Sequence, residues 1–422
     1  MPKRVKRVLI VCDTFPPRPE VGGIRPAMMA KYLPDYGWEP FVLTRGLARE
    51  EWSHQAEMQL TGLPAPDHVT RMPYCDEDER SYLRSRTLLG RLRDLLRPEE
   101  AHPPGLARAM ALCLDELLQE YKPDILWATS PTLAPLKAAK VVSERRGIPW
   151  VADFRDISQQ EAGADTSLRA SFLRWRVIVR QPSLVASAAA VVAVSKSHAE
   201  TMSRHLRRPV DVIYNGYDHA MFRRSAPRAT ARFTIVYVGR ILNTWLHDPC
   251  PFFEGMSLLV QSGRLPSDEV SVDFYGVEPD IVRPLIDGKA CSKVVTIHPR
   301  IDYTQVPVVL ENANVCLLLT NRGRGGILTT KFFEYMALGR PILCVPGDGG
   351  ELDELLAEKK VGVSCADSRA VAETIMGWYR EWKSTGGVLA PVSSEPVEFF
   401  SRKSQAGILA GILDKALDGR TC

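Results

Sequence analysis

"NVCLLLTNRGRGGILTTKFFEYMALG", residues 314–339, runs from an unbroken apolar stretch through a glycine-rich loop into a segment with helical spacing. Strand, glycine loop and helix form the repeating unit of parallel α/β sheets, so this stretch decides the fold class. A helix start presents unpaired N–H groups and a partial positive charge. Glycines let backbone approach a ligand closely. Together these make an anion site, and phosphate is the common anion. Arg322, Arg324 and Lys331 add positive charge, and Thr329 and Thr330 stand where loop becomes helix.

Glu334 is the unusual residue of this corner. Phe332, Phe333, Met336 and Ala337 form an apolar face that puts Glu334 on the other side, one turn from Thr330. A capping box does not explain it. With Thr330 as N-cap the box needs its carboxylate at Phe333, and with Thr329 at Phe332. Two readings stay open: a solvated acid near the helix start, or a carboxylate below a bound diphosphate that accepts two hydrogen bonds from a ribose diol. A dinucleotide fingerprint competes for the same loop, but Gly323-x-Gly325 has Leu328 in its third place.

The pattern of the corner extends along the chain. "RVLIVCD", "EPFVLT", "DILWATS", "PWVADF", "AVVAVS" and "DVIYN" read as strands separated by helix-like segments, among them "IRPAMMAKYLPDYG". The polar stretch "NGYDHAMFRRSAPRATARF" breaks the alternation and reads as a hinge. A second series follows: "FTIVYVG", "SVDFYG", "VVTIH", "VCLLLT", "PILCVP" and "VGVSC". The expectation is α/β, with two doubly wound, Rossmann-like domains facing across a cleft and ligands outside the carboxyl ends of the strands. The first domain is set at residues 1–217 and the second at 218–400. A terminal helix in 401–422 can pack back on the first domain.

Bulk properties agree with this class. A chain of 422 residues suggests two domains of about 200 residues each. The composition, 45 % hydrophobic and 25 % charged, is that of a globular protein, with no apolar run near the ~20 residues of a spanning helix. "MPKRVKRVLIVCDTF" has only a short β-branched core followed by aspartate, which suits a first strand better than a signal peptide. A net charge of +4 does not argue for a nucleic-acid partner. Nine cysteines without a C-x-x-C pair suggest neither zinc nor a disulfide framework, and so reduced thiols in a cytoplasm.

The segments "VLIVCDTFPPRPEVGGIRPAMMAKYL", "DILWATSPT", "IPWVADFRD", "VVAVSKSHAETM", "VIYNGYD", "VYVGRI" and "TTKFFEYMALGRPILCVPGDGGELDELL", in this order and spacing, resemble the GT-B glycosyltransferases of family 4. These are retaining, nucleotide-sugar-dependent enzymes, and the resemblance runs along nearly the whole chain. It implies that Gly22 and Gly23 form the loop against the donor diphosphate and sugar, where an ordinary turn is the alternative. It implies that Arg240 pairs with the diphosphate. Trp245 stands where the family often has a lysine. Glu334 matches the second glutamate of an E-x7-E pair whose first place is Gly326. Lys331, Arg322 or Arg324 can replace the missing cation.

Asp153 aligns with a polar residue near the transferring sugar, with Arg155 and Asp156 following. A carboxylate there can bind a sugar hydroxyl or take the acceptor proton, which makes Asp153 and Asp156 the candidate catalytic residues. A structural Asp–Arg pair is the alternative. Arg300 falls in "PRIDYTQVP", the loop that the resemblance sets against the nucleotide base.

Other signals weigh less. Asp76-Glu77-Asp78 contains a D-x-D without a clear strand before it, so no metal is expected. "RSYLRSRTLLGRLRDLLRPEE" is basic, with Leu88, Leu92, Leu95 and Leu96 on one helical face. Family members with lipid acceptors often touch the membrane through such a helix, while a surface helix packed on its own domain is the plainer reading. His198 and His219 read as structural.

The expected function is transfer of a hexose from a nucleoside diphosphate sugar, with UDP among the expected nucleotides and the donor's base and sugar left open, to a hydroxyl of a glycan, lipid-linked sugar or natural product. The resemblance implies retention of configuration. Helix dipole and cations remove the need for a metal, and no cofactor is expected. Location is cytoplasmic, with peripheral membrane contact left open. Rival readings are a non-hydrolysing nucleotide-sugar epimerase of the same fold, a non-catalytic nucleotide- or sugar-binding protein, and a dinucleotide-dependent oxidoreductase.

Overall fold

The computed structural model describes residues 4–18, 21–46, 62–72, 105–159, 168–225, 229–241, 244, 247–320, 325–388 and 397–419. The chain divides into two compact units, Met1–Tyr214 with Arg402–Cys422, and Asn215–Ser401. The division expected after residue 217 thus lies at Tyr214, and the terminal segment belongs to the first unit. The D-x-D at 76–78, the basic segment 80–100, Trp245, Arg322 and Arg324 lie outside the described residues.

In the first unit, β1 (Lys6–Val11), β2 (Trp38–Arg45), β3 (Val69–Met72), β4 (Ile125–Thr129), β5 (Trp150–Phe154), β6 (Ala190–Ala193) and β7 (Asp211–Val212) form one sheet. Its order is β3-β2-β1-β4-β5-β6-β7 and every pairing is parallel. Every residue of β4 and β5 is buried, as a parallel sheet covered on both faces requires. The crossover helices are α1 (Ile24–Tyr32), α2 (Leu106–Tyr121), α3 (Ala134–Arg146), α4 (Leu168–Leu184) and α5 (Lys196–Leu206). One apolar cluster joins Leu9, Leu126 and Trp150 of the sheet to Met110 and Leu114 of α2 and Leu136 of α3.

The second unit repeats the scheme. β8 (Phe233–Val238), β9 (Val270–Tyr275), β10 (Val295–His298), β11 (Val315–Leu319), β12 (Ile342–Val345) and β13 (Gly362–Ser364) form a parallel sheet of order β10-β9-β8-β11-β12-β13. Its helices are α6 (Cys250–Gln261), α7 (Pro279–Ile286), α8 (Val306–Glu311), α9 (Thr330–Leu338), α10 (Glu351–Glu358) and α11 (Ser368–Thr385). The chain then returns to the first unit as α12 (Arg402–Asp418), which packs on α1.

Both sheets reverse winding direction at one place, between β1 and β4 in the first and between β8 and β11 in the second. Doubly wound sheets bind ligands outside the strand carboxyl ends at such a switch point. The loops after β1, β4, β8 and β11 are therefore the ones to inspect. No described helix is long and apolar enough to cross a membrane.

Candidate functional site

In the second unit, the strand β11 feeds the glycine loop and α9 as the sequence pattern requires. Thr329 is the N-cap of α9, with extended backbone and no side-chain capping bond. Its Oγ1 is a buried polar atom without a hydrogen-bond partner among the described residues. A buried orphan acceptor at a helix start requires an explanation, and a bound group is one. Lys331, in the first turn, lies across the end of β8. Its Nζ donates to the Tyr237 hydroxyl at 3.0 Å and sits 4.7 Å from that ring's centroid. The Tyr237 hydroxyl in turn donates to the Arg240 carbonyl at 3.0 Å. A Cβ built at Gly239 would stand 2.5 Å from Lys331 Cε, and Gly239 has φ +123, so only glycine suits this crossing. The Arg240 side chain is exposed beside it.

The helix α9 departs from the expected amphipathic pattern. All residues from Phe332 to Leu338 are buried, Glu334 included at 4 % exposure. The Glu334 carboxylate accepts a 2.6 Å hydrogen bond from the Tyr303 hydroxyl. It is not a solvated surface acid. Tyr303 lies in the "PRIDYTQVP" loop, so this loop reaches Glu334 through its tyrosine. Arg300 of the same loop is exposed and crosses the Gly276 turn.

Asp348 holds the glycine loop from the other side. It accepts from the backbone N–H of Gly326 at 3.2 Å, Gly350 at 2.9 Å, Leu352 at 3.3 Å and Asp353 at 3.2 Å. One carboxylate thus caps α10 and ties the loop before α9 to it. A Cβ on Gly350 would stand 3.1 Å from the Gly325 Cα, which requires small residues at this approach.

His247 is 8 % exposed, and its Nδ1 is buried without a partner among the described residues. The next residue's N–H bonds the Thr320 carbonyl at 2.9 Å, which holds the histidine at the end of β11. Burial, helped by the Lys331 cation, lowers the imidazole pKa from 6.5 to about 4, so it is neutral near pH 7.

In the first unit, Gly22 and Gly23 end a short 3-10 turn that leads into α1. A Cβ at Gly22 would stand 2.9 Å from Thr14 Oγ1, and one at Gly23 3.2 Å from the Phe15 Cα. The glycines are therefore required by close packing on the β1 loop, with no left-handed backbone. The Arg155 guanidinium donates to the Gly22 carbonyl, and its own N–H donates to Ser130 Oγ at 3.1 Å. Burial lowers the Arg155 pKa.

Asp153, at the end of β5, has 0 % exposure. Arg25 of α1 donates to both of its oxygens, Nε to Oδ2 at 2.9 Å and Nη2 to Oδ1 at 2.8 Å. Thr129 Oγ1 donates to Oδ2 at 2.7 Å, and Arg25 Nη1 reaches the Tyr214 carbonyl at 3.1 Å. Of the two readings open for Asp153, this geometry is that of the structural pair, with Arg25 as partner rather than Arg155. A carboxylate so enclosed has no surface with which to meet an acceptor. Asp156 is exposed. His198 is buried in the first turn of α5, where burial lowers its pKa to about 4.

Sequence reasoning missed Arg25, Tyr237, His247, Tyr303 and Asp348. Asp348 had a local signal, an aspartate just before a glycine pair and a helical pattern. The others act across long sequence separations that no short motif records.

Residues 22–216 match the family described as glycosyl transferase 4-like domain, and residues 232–381 match glycosyl transferases group 1. No curated protein is similar enough in sequence to match. Among solved structures, the chain is similar to sucrose-phosphate synthase from Thermosynechococcus elongatus, with 14 % identity, TM-score 0.67, and coverage of 98 % of this chain and 100 % of that one. It is similar to Anabaena Alr3699/HepE in complex with UDP and glucose, with 15 % identity, TM-score 0.61, and coverage of 97 % and 99 %. It is also similar to a putative UDP-N-acetylglucosamine 2-epimerase from Listeria monocytogenes, with 11 % identity, TM-score 0.56, and coverage of 97 % and 95 %. At these identities the structural likeness speaks for the fold alone. The two family matches together span most of the chain, and the chain belongs to the GT-B glycosyltransferases of the family 4 and group 1 type.

Proposed function

We propose that the protein transfers a sugar from a nucleoside diphosphate sugar to an acceptor hydroxyl, with retention of configuration and without a metal. The observation that carries the donor half is the convergence on Lys331 of the Gly239 turn and the start of α9. Backbone N–H groups of α9, the orphan Thr329 hydroxyl, Thr330, Lys331 and the exposed Arg240 take the diphosphate. Glu334, held by Tyr303, takes the ribose diol, and Arg300 stacks on the base. Lys331 and the helix dipole stabilise the diphosphate as it leaves, which is the work a metal does elsewhere.

The first unit takes the acceptor. Arg155 clasps the Gly22 carbonyl and fixes the glycine loop, and the Asp153–Arg25 pair positions the start of α1 behind it. Asp153 is therefore a positioning residue in this reading. Asp156, being exposed, is the carboxylate able to meet an acceptor hydroxyl.

Peripheral membrane contact is carried best by α4. Its outer face exposes Leu168, Phe172, Trp175 and Val179 in helical register, and the helix sequence "LRASFLRWRVIVRQPSL" has four arginines and no acid. Co-sedimentation with anionic vesicles tests this, and its failure would leave the transfer reading untouched.

The transfer reading is tested by incubating UDP-, GDP-, ADP- and TDP-linked hexoses with an acceptor panel in chelator. Release of nucleoside diphosphate with a new glycosidic bond of retained configuration by NMR supports it. A 2-epimer formed without an acceptor would instead favour the epimerase reading, which the Listeria likeness keeps in view.

A further inference from the structure

The edge of the second sheet carries a joined set of polar side chains. Along β9, Val270, Val272 and Phe274 enter the apolar cluster of this unit, and Val295 and Ile297 of β10 pack against it. Alternation therefore turns Ser271, Asp273 and Tyr275 of β9, and His298 of β10, to the opposite face. That face is the one α9 covers. The Tyr335 hydroxyl accepts the Val238 N–H at 3.3 Å, and the buried side chains of α9 lie outside the cluster.

His298 is held from two sides. Its Nε2 meets Asp273 Oδ1 at 2.8 Å, and its ring stacks on Tyr275 with centroids 4.3 Å apart and planes 10° from parallel. Ser271 Oγ donates to the second oxygen, Asp273 Oδ2, at 2.9 Å, which fixes the carboxylate. A carboxylate only accepts, so Nε2 carries the proton, and in the neutral ring Nδ1 presents a lone pair. Nδ1 bonds none of the described residues, and the side chain is 31 % exposed. The carboxyl end of β10 thus offers one hydrogen-bond acceptor of fixed sense.

The loop that starts at His298 ends on the donor site. The Gly276 N–H bonds the His298 carbonyl at 3.3 Å, and a Cβ on Gly276 would stand 3.7 Å from Arg300 Cα, so the loops after β9 and β10 leave the sheet together. Tyr303, on the same loop as His298, donates to Glu334. β9 alone separates β10 from β8, a step of roughly 10 Å across the sheet. With a ribose on Glu334, a base fills that span and brings its far edge to His298. Uracil, thymine and guanine carry a ring N–H on that edge. Cytosine and adenine carry a lone pair there, which would set two acceptors against each other.

We propose that His298 is a specificity-determining residue that accepts a hydrogen bond from the ring N–H of the donor's base, and so selects uracil, thymine or guanine over cytosine and adenine. The proposal rests on the donor reading above and deepens it by assigning the class of base.

The test is calorimetric titration of the full chain at about pH 8.5, above the imidazole range, with UDP, CDP, GDP and ADP. UDP differs from CDP, and GDP from ADP, on the edge in question. The parent should bind UDP or GDP with an advantage of about tenfold or more over CDP or ADP respectively. His298→Phe keeps a ring over Tyr275 and removes the acceptor, and should cut that ratio to about threefold or less. Asp273→Asn presents an amide N–H to Nε2, which moves the ring proton to Nδ1 and should turn the preference toward CDP or ADP. A merely structural pair would lower all affinities together and keep the ratio. A parent that prefers CDP or ADP, or a ratio unchanged in either variant, would overturn the proposal and leave the donor reading in place. Absence of binding by every nucleotide would overturn both.

Discussion

Lys331 passes over Gly239 so closely that a single added methyl would stand 2.5 Å from its Cε. This crossing joins the turn after β8 to the start of α9, two segments about ninety residues apart. It fixes an ammonium on the Tyr237 hydroxyl at the sheet's switch point.

Gly239→Ala should therefore act twice. It strains a backbone at φ +123 and forces Lys331 away. The expected cost is about 1–3 kcal/mol of stability, seen in urea unfolding, together with nucleoside diphosphate affinity reduced by about tenfold, near that of Lys331→Ala. A variant that binds like the parent would show that the crossing has no part in the site.

Glu334→Ala should weaken nucleoside diphosphate binding by about 1–3 kcal/mol, the scale of lost hydrogen bonds to a charged group. Tyr303→Phe removes the 2.6 Å bond that orients the carboxylate and should show a smaller loss of the same kind. Titration calorimetry with the nucleoside diphosphate and with the corresponding base alone separates the cases, because only the former carries the ribose diol and diphosphate. Equal affinity of Glu334→Ala and the parent would remove Glu334 from the donor site.

The Asp153–Arg25 pair is fully enclosed, with side-chain exposures of 0 % and 3 %. Removing one partner leaves the other buried without compensation. Arg25→Met and Asp153→Asn should each destabilise the protein by about 3–5 kcal/mol in denaturant unfolding. If Asp153→Asn unfolds like the parent but loses turnover, Asp153 meets the acceptor after all and its assignment as a positioning residue is wrong.

His247 couples stability to acid. Its pKa falls from 6.5 in the unfolded chain to about 4 in the fold, through burial first and the Lys331 cation second. The unfolded state therefore binds the proton more readily as pH drops below about 6.5, and stability is lost until pH passes about 4. One such group accounts for a loss on the order of 3 kcal/mol. His198, shifted the same way, adds its own. His247→Gln should flatten this decline between pH 6.5 and 4 relative to the parent, measured by urea unfolding at each pH. Parallel curves would place the coupling elsewhere.

Much of the fold was legible because parallel strands buried on both faces read as plain apolar runs. "DILWATS" and "VCLLLT" contain β4 and β11 for that reason. β3 was missed. Val69–Met72 is a four-residue edge strand, mostly half-buried, and its "VTRM" has no such run. The terminal helix expected in 401–422 is Arg402–Asp418, and a 3-10 turn, Val397–Phe400, precedes it, with the break falling at the boundary between the units. At the site, the glycine loop, Lys331 and Glu334 were visible because helix-start chemistry is local. Tyr237, Tyr303 and Arg25 were not, because each meets its partner only after the sheet is wound. The burial of Glu334 was not legible for a related reason: amphipathic spacing marks one apolar face, whereas every residue of α9 from Phe332 to Leu338 is buried.

The measurement that tests the donor site most directly is thermal unfolding of the purified chain with UDP, GDP, ADP, TDP, CMP and NAD, in chelator and again with magnesium. A ligand that binds the native state raises the melting temperature by mass action. The expected result is a rise with one nucleoside diphosphate in chelator, reduced in Lys331→Ala and Glu334→Ala. A rise with NAD alone, or with a nucleoside diphosphate only when magnesium is present, would contradict it.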